Sequence, residues 1–334
     1  MIRIGVIGYG YWGPNIVRNF SLAEGAEVTI ISDASMRALQ RVGTDHPHIK
    51  TTRFDTEVLF STDLDAVAIV TPVSTHYELA KKALTNGKHV FIEKPFTAST
   101  AQAEELLNLA EQKNLKIMVD HTFLFTGAVR KIKQLVEDEV LGELYYFDST
   151  RINLGLLQSD VNVVWDLVPH DLSIMDYLIK QEPLALSATG MAHINGMEDV
   201  AYITIYFSGN LIAHFNVNWL SPVKIRTTLI GGQKKMLVWN DLEADEKIRV
   251  YDRGVEINSK EQSYHARVNY RSGDIWVPRL VQVEALKAEA EYFVNCINQD
   301  LTPINDGRAG YRVVRILEAI VTSLDNRGAI TYLS

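Results

Sequence analysis

Residues 2–13 read Ile2-Arg-Ile-Gly-Val-Ile7-Gly8-Tyr9-Gly10-Tyr11-Trp12-Gly13. The apolar run Ile2–Ile7 ends in glycines, the pattern of a strand buried on both faces of a parallel sheet. Gly8, Gly10 and Gly13 fit G-x-G-x-x-G. A helical segment follows over Asn15–Phe20, and a second apolar run, Val28–Ser32, ends at Asp33. The pattern thus follows a strand, opens a helix, and has an acid about twenty residues further on, the three conditions for dinucleotide binding. Gly8 permits the tight turn, Gly10 lets backbone amides approach a pyrophosphate, and Gly13 lets the helix pack closely on the strand. Tyr11 and Trp12 of the same loop are candidate cofactor contacts. The helix N-terminus offers free N–H groups and partial positive charge to an anion. Asp33 sits where a carboxylate accepts from the adenosine ribose and repels a 2′-phosphate, which favours NAD over NADP. Nearby Arg37 keeps NADP open, and Asp33 could also serve as a helix cap.

Further runs at Ala66–Val70, His89–Ile92 and Ile117–Val119 alternate with helical stretches. Thr75 and Glu78 have capping-box spacing, as do Ser99 and Gln102. Strand–helix alternation predicts βαβ units and a Rossmann-type parallel sheet, with strand C-termini along one ligand-binding edge. After residue 122 the texture changes. One helix is expected over Gly127–Glu137. Extended runs follow at Leu144–Leu154, Ser187–Met191, Val200–Phe207, Leu211–Asn218, Arg226–Ile230, Met236–Trp239 and Ile248–Tyr251. Ser208-Gly-Asn210 and Gly231-Gly232 look like hairpin turns. Longer helices are placed at Pro169–Ile179, Val281–Asn298 and Arg308–Asn326. The expectation is therefore an α/β protein: a Rossmann domain over 1–122 and an α+β domain over 123–334 with a large, mostly antiparallel open sheet. The last helix could pack back on the first domain.

The chain has 334 residues, a natural length for two domains. Thirty-three basic against 41 acidic residues give a formal charge of −8, which argues against nucleic acid as main partner. No apolar stretch approaches the ~20 residues that span a bilayer, so no membrane partner is expected. Neither the N-terminus nor the single cysteine, Cys296, suggests secretion, and a reducing cytoplasm is expected. Cys296 lies in an amphipathic stretch and reads as a packed thiol. The nine histidines do not cluster at ligand spacing, so no metal is expected.

Two further clusters carry candidate chemistry. Thr71-Pro72 and Glu93-Lys94-Pro95 close the third and fourth strands of this reading, on the ligand edge. A lysine emerging from a buried strand end faces a cleft, where it can hold or transfer a proton; a surface lysine before a turn is the alternative. Asp166 and His170 are four apart in a helical segment and share a face. Histidine titrates near neutrality and can shuttle the proton of an alcohol; a capping aspartate and a structural histidine are the alternative. Pro169 suits a first turn better than an interior, and Asp171 reads as structural.

Taken in order, Gly8-x-Gly10-x-x-Gly13, Thr71-Pro72-Val-Ser-Thr-His76 and Gly87-Lys-His-Val-Phe-Ile-Glu93-Lys94-Pro95 strongly resemble the Gfo/Idh/MocA oxidoreductase family along essentially the whole chain. The resemblance implies a Rossmann domain joined to an open-sheet domain through which members often associate, hence a homodimer or homotetramer. It implies that Lys94 reaches substrate and nicotinamide, that Thr71, Pro72, His76 and Glu93 line the cofactor site, and that Asp166 and His170 form the catalytic pair. Arg151-Ile-Asn153-Leu-Gly155 and Asp160–Asp171 resemble the nucleotide-sugar branch, whose members oxidise C3 of UDP-N-acetylglucosaminuronic acid or reduce 3-keto deoxysugar nucleotides. Arg151, Asn153 and Asn162 are candidate contacts for a uronate or phosphate, or else polar residues near a turn. Trp276-Val-Pro278 is a weaker candidate. The implied activity is NAD-dependent transfer of hydride from a sugar hydroxyl. The rivals are a 3-ketosugar reductase, a free-sugar or cyclitol dehydrogenase, and a cofactor-sensing regulator without catalysis.

Overall fold

A computed structural model describes residues 1–155, 160–257 and 268–333. The chain forms two compact units, Met1–Thr126 with Val283–Glu318, and Gly127–Gln282 with Ala319–Ser334. The first unit is thus not the contiguous 1–122 of the sequence reading. It recruits a late segment.

In the first unit, β1 (Ile2–Ile7), α1 (Gly13–Leu22), β2 (Ala26–Ser32), α2 (Met36–Asp45), β3 (Lys50–Thr52), α3 (Asp55–Leu59) and β4 (Ala66–Ile69) follow one another. Then come α4 (Val73–Thr85), β5 (His89–Ile92), α5 (Thr100–Gln112) and β6 (Ile117–Val119), closed by a 3₁₀ turn over Thr122–Phe125. All six strands are parallel, in the order β3-β2-β1-β4-β5-β6. The order reverses between β1 and β4, the switch point where open α/β sheets bind ligands at strand C-termini. β4 is wholly buried and β5 nearly so, with Val67, Ile69, Val90, Phe91 and Ile92 at 1% exposure or less. Helices on both faces leave such strands no polar side, which is why they read as continuous apolar runs.

The late segment supplies α8 (Ala285–Asn298). Phe293 packs its ring edge-on to Phe20 of α1 and Phe91 of β5, with centroids 6.1 and 5.7 Å away. Phe20 and Phe91 meet at 5.1 Å. Cys296 on the same helix is buried. Half of the expected box at Ser99 is present: its Oγ accepts from Gln102 N at 3.3 Å, but Gln102 Oε1 accepts from Ala98 N, one residue before the cap. At Thr75 it is not. The helix begins earlier, at Val73 behind Pro72, and the Thr75 hydroxyl bonds Pro72 O at 2.8 Å.

The second unit holds α6 (Gly127–Glu137), β7 (Leu144–Leu154), α7 (Val163–Leu178), β8 (Pro183–Met191), β9 (Val200–Phe207), β10 (Ile212–Asn218), β11 (Leu220–Gly232) and β12 (Met236–Asn240). It continues with β13 (Ile248–Ile257), β14 (Val268–Trp276) and β15 (Thr331–Tyr332). α9 (Gly307–Asp325) belongs to the first unit as far as Glu318. The sheet order is β14-β13-β12-β11-β7-β10-β9-β8-β15. Every pair is antiparallel except β10 with β7, so the sheet is mixed but mostly antiparallel. Ser208–Asn210 does link an antiparallel pair, β9 and β10. Gly231 and Gly232 do not form a turn but end β11: a Cβ on Gly231 would lie 2.0 Å from the Tyr146 ring, and one on Gly232 2.3 Å from Leu141 O. These glycines answer to packing. α7 starts at Val163, so Pro169 lies beyond its first turn, where its missing N–H removes one helical bond.

Candidate active site

Strand register builds the ligand edge of the first unit. Ile7 pairs with Ser32 and Ile69, Ile69 with Ile92, and Ile92 with Val119. The next residue on each strand therefore falls in one row: Asp33, Gly8, Val70, Glu93 and Asp120. The ladder continues into that row, with Gly8 N to Ser32 O, Val70 N to Ile7 O, Glu93 N to Ile69 O and Asp120 N to Ile92 O, all at 2.8–2.9 Å.

Gly8 takes φ +101°, and a Cβ there would stand 2.4 Å from Val70 O. A Cβ on Gly13 would stand 2.6 Å from Gly8 O, whereas nothing lies within 4 Å of one on Gly10. Two glycines are thus demanded by the turn and one faces open space. No side chain caps α1, but Pro14 carries no N–H and Asn15 N already donates to Trp12 O at 2.9 Å, so the amides of the glycine loop up to Gly13 are the ones that would meet an anion. Asp33 is aimed by two backbone donors, Tyr9 N to Oδ2 and Ser35 N to Oδ1, both at 2.7 Å. Each carboxylate oxygen keeps a second lone pair for a ribose hydroxyl. These residues fit a dinucleotide: the open space at Gly10 would admit a pyrophosphate, and Asp33 would accept from a ribose hydroxyl. Tyr11 is 88% exposed on this loop. Asp33→Ala is expected to raise the Kd of NAD about tenfold, the loss of a charge-assisted bond, and that of NADP less. Equal losses in a calorimetric titration would remove the ribose role.

Thr71 Oγ1 meets Thr75 Oγ1 at 2.7 Å. His76 is fully buried, with Nε2 2.8 Å from Thr71 O and Nδ1 2.9 Å from Pro95 O. It is a strut that ties the exit of β4 to the Glu93-Lys94-Pro95 segment; burial pushes its pKa down. Lys94 is half-buried, and its charge acts on both Glu93 and His121.

Residues the sequence reading did not single out complete this region. Trp12 Nε1 donates to Asp120 Oδ2 at 3.0 Å and Thr122 Oγ1 donates to Asp120 Oδ1. Asp120 follows Glu93 in register across β5 and β6, its charge acts on both Glu93 and Glu289 of α8, and Asn305 Nδ2 donates to Glu289 Oε1 at 2.8 Å. Burial, then the nearby Asp120 charge, hold the Glu93 and Glu289 carboxyls well above the usual range. His121 is 1% exposed, and neither ring nitrogen has a hydrogen-bond partner among the described residues. Burial pulls its pKa down to about 4 from 6.5. The depressed value means that stability is present above pH 6.5 and is lost as pH falls towards 4, by roughly 3 kcal/mol at about 1.4 kcal/mol per unit. His121→Phe is expected to flatten the acid limb of urea-derived stability by that amount; an unchanged limb would contradict it.

In the second unit, Asn162 caps α7: its Oδ1 accepts from Trp165 N at 3.1 Å and its Nδ2 donates to Glu198 at 2.8 Å. Asp166 and His170 follow one turn apart, both half-buried. Trp219 Nε1 donates to Asp166 Oδ2 at 3.2 Å. Arg151 is buried and bidentate on Asp171, Nε and Nη2 at 2.8 and 2.7 Å. Its charge is therefore already matched, and it organises a small polar pocket with Arg226, Trp239 and Asp241. Asn153 lies half-buried beside Gly155 and Trp219. Trp276 ends β14.

A model of an oxidoreductase family with an NAD-binding Rossmann fold matches residues 2–121, and a model of the GFO/IDH/MocA C-terminal domain matches residues 129–238. The chain belongs to the Gfo/Idh/MocA oxidoreductase family. It is accordingly an NAD-dependent oxidoreductase, with the family's NAD-binding Rossmann fold over residues 2–121. Among its relatives in the family is UDP-N-acetylglucosamine 3-dehydrogenase of Acidithiobacillus ferrooxidans, 26% identical over 318 residues that cover 94% of each chain. The solved structure of that enzyme from the same organism superposes with a TM-score of 0.82 at 25% identity, over 97% of this chain and 98% of that one. Scyllo-inositol dehydrogenase of Lactobacillus casei, solved with NAD(H) and scyllo-inositol, shares the fold at TM-score 0.81 and 19% identity, over 100% and 99% of the two chains. No helix among the described residues is long and apolar enough to cross a membrane.

Proposed function

We propose that the protein oxidises a secondary hydroxyl, at C3 of a nucleotide-linked sugar, in sugar-nucleotide or surface-polysaccharide synthesis. The observation that carries this reading is the near full-length similarity to a nucleotide-sugar 3-dehydrogenase. It is supported by a strand-edge row that includes Glu93, with Lys94 the residue that follows it. Bound NAD would accept the hydride. His170 takes the hydroxyl proton, and Asp166, steadied by Trp219, orients the imidazole. Lys94 hydrogen-bonds the same oxygen and stabilises the negative charge that develops there. Thr71, Pro72 and Glu93 shape the cofactor edge around Lys94. Asn153 offers an amide to the sugar or its nucleotide. Arg151 and Asn162 act through the framework they hold, Arg151 by fixing Asp171 and Asn162 by capping the helix that carries Asp166 and His170.

The protein works in the cytoplasm as a homo-oligomer, two copies meeting through the nine-stranded sheet. The exposed Tyr202, Tyr206, Ile212 and Leu229 of that sheet favour a covered face. The activity is tested by following NADH formation with UDP-N-acetylglucosamine, its uronate, deoxysugar nucleotides and free inositols. Turnover with a nucleotide sugar, lost in His170→Ala, is expected. Turnover with inositols alone would move the substrate to free cyclitols, and tight NAD binding with no oxidation of any compound would make the protein a cofactor sensor.

A further inference from the structure

The acids gathered behind the ligand edge are a buried set of titratable groups to which the proposed chemistry gives no proton-transfer role. Glu93 comes from the end of β5, Asp120 from the end of β6 and Glu289 from α8. Three neighbouring carboxyls inside a protein cannot readily all be ionised, since like charges repel strongly in a low dielectric. Asp120 is the member best supplied with donors. The indole N–H of Trp12 donates to Asp120 Oδ2 and the hydroxyl of Thr122 to Asp120 Oδ1. The far end of the set is fixed: Asn305, fully buried, donates to Glu289 Oε1 at 2.8 Å and to Val119 O at 2.7 Å. A cluster that ends in buried groups holds charge in place rather than conducting it outward.

The near end is what gives the cluster a function. Trp12 belongs to the glycine loop, between Gly10 and Gly13, and is only half-buried. Its bond to Asp120 crosses from the loop to the opposite side of the β1–β4 switch point. Glu93 adjoins Lys94 in sequence. One aspartate thus touches both the loop that takes the pyrophosphate and the strand end that carries the proposed hydroxyl-binding lysine.

We infer that Asp120 is a positioning residue, locking the glycine loop through Trp12 to the Glu93-Lys94 strand end, with Glu93 and Glu289 as its flanking acids. The inference rests on the reading of the loop as the NAD site but not on the identity of the sugar. Locking of this kind lowers the ordering cost of cofactor binding. It also gives NAD affinity a pH dependence. The groups facing Asp120 are Trp12 from the loop, Glu93 and Lys94 from β5, His121 and Thr122 beyond β6, Glu289 from α8, and Asn305. When a second carboxyl of the set ionises on raising the pH, repulsion displaces Asp120 from the indole and the loop loosens.

The test is NAD titration by calorimetry with no sugar present, so that failure of the sugar assignment leaves it untouched. Asp120→Asn and Trp12→Phe are each expected to raise the Kd of NAD about tenfold, or about 1.4 kcal/mol, and the double variant is expected to be no worse than the single ones. Glu289→Gln, which cannot ionise, is expected to reduce the alkaline loss of NAD affinity seen in the parent protein. In turnover with an accepted substrate, Asp120→Asn raises the KM for NAD more than it lowers kcat. A Kd unchanged within twofold in the folded Trp12→Phe protein, additive losses in the double variant, or an alkaline limb that Glu289→Gln leaves intact would overturn the inference.

Discussion

Lys94→Met is expected to lower turnover by roughly a thousandfold while leaving the Kd of NAD within about twofold. Methionine matches the lysine stem in length and apolar character, so the strand end keeps its packing. What is lost is the ammonium. A general acid–base or charge-stabilising group at a reacting oxygen is worth about 10²–10⁴ in rate. Of the residues proposed to face NAD, Asp33 and Gly8 are held by their own backbone bonds and do not depend on the lysine. His76 still ties Thr71 O to Pro95 O. Stopped-time assays of NADH formation, paired with NAD titration, separate the two effects. Activity within tenfold of the parent protein would remove Lys94 from the chemistry, and lost NAD binding would make it a cofactor ligand instead.

Phe293→Ala is expected to destabilise the first unit by about 3–5 kcal/mol, the cost of emptying a buried phenylalanine site. Phe293 is fully buried and meets both Phe20 and Phe91 edge-on. Its loss opens a cavity between α1, β5 and α8, and two aromatic pairs are lost with it. Against a typical total of 5–15 kcal/mol the effect is large. Urea denaturation followed by circular dichroism measures it, and Phe293→Leu is expected to recover a good part. A loss below 1 kcal/mol would mean that α8 is not part of the unit's core.

The parallel half of the fold was legible because strands buried on both faces show as apolar runs, and because Gly8 and Gly13 each answer to a local backbone demand. Lys50–Thr52 gave no such signal: it is a three-residue edge strand with two exposed positions. The box spacing at Thr75 misled because Pro72, with its fixed φ, already starts the helix. Gly231 and Gly232 looked like a turn because their real constraint, Tyr146 and Leu141 lying over them, is tertiary.

The site divided in the same way. Asp33, Glu93 and Lys94 announce themselves as polar residues ending apolar runs. Asp120 and His121 end such a run too, after Ile117–Val119, and that position was the available clue. Glu289 was harder: it sits on the apolar face of α8 beside Leu286, Ala290 and Phe293, all buried. An acid at a core position marks a buried partner, but the partner is distant in sequence. Arg151 was read as an anion contact because nothing local reveals that Asp171 meets it bidentately from α7.

The central claim is that hydride leaves the carbinol carbon of a nucleotide sugar for NAD. It is tested most directly with UDP-N-acetylglucosamine deuterated at C3, the reduced cofactor being analysed by mass spectrometry. The account predicts one deuterium per NADH formed and a matching amount of 3-keto sugar nucleotide. NADH formed without label, or consumption of the sugar with no reduced cofactor, would contradict it.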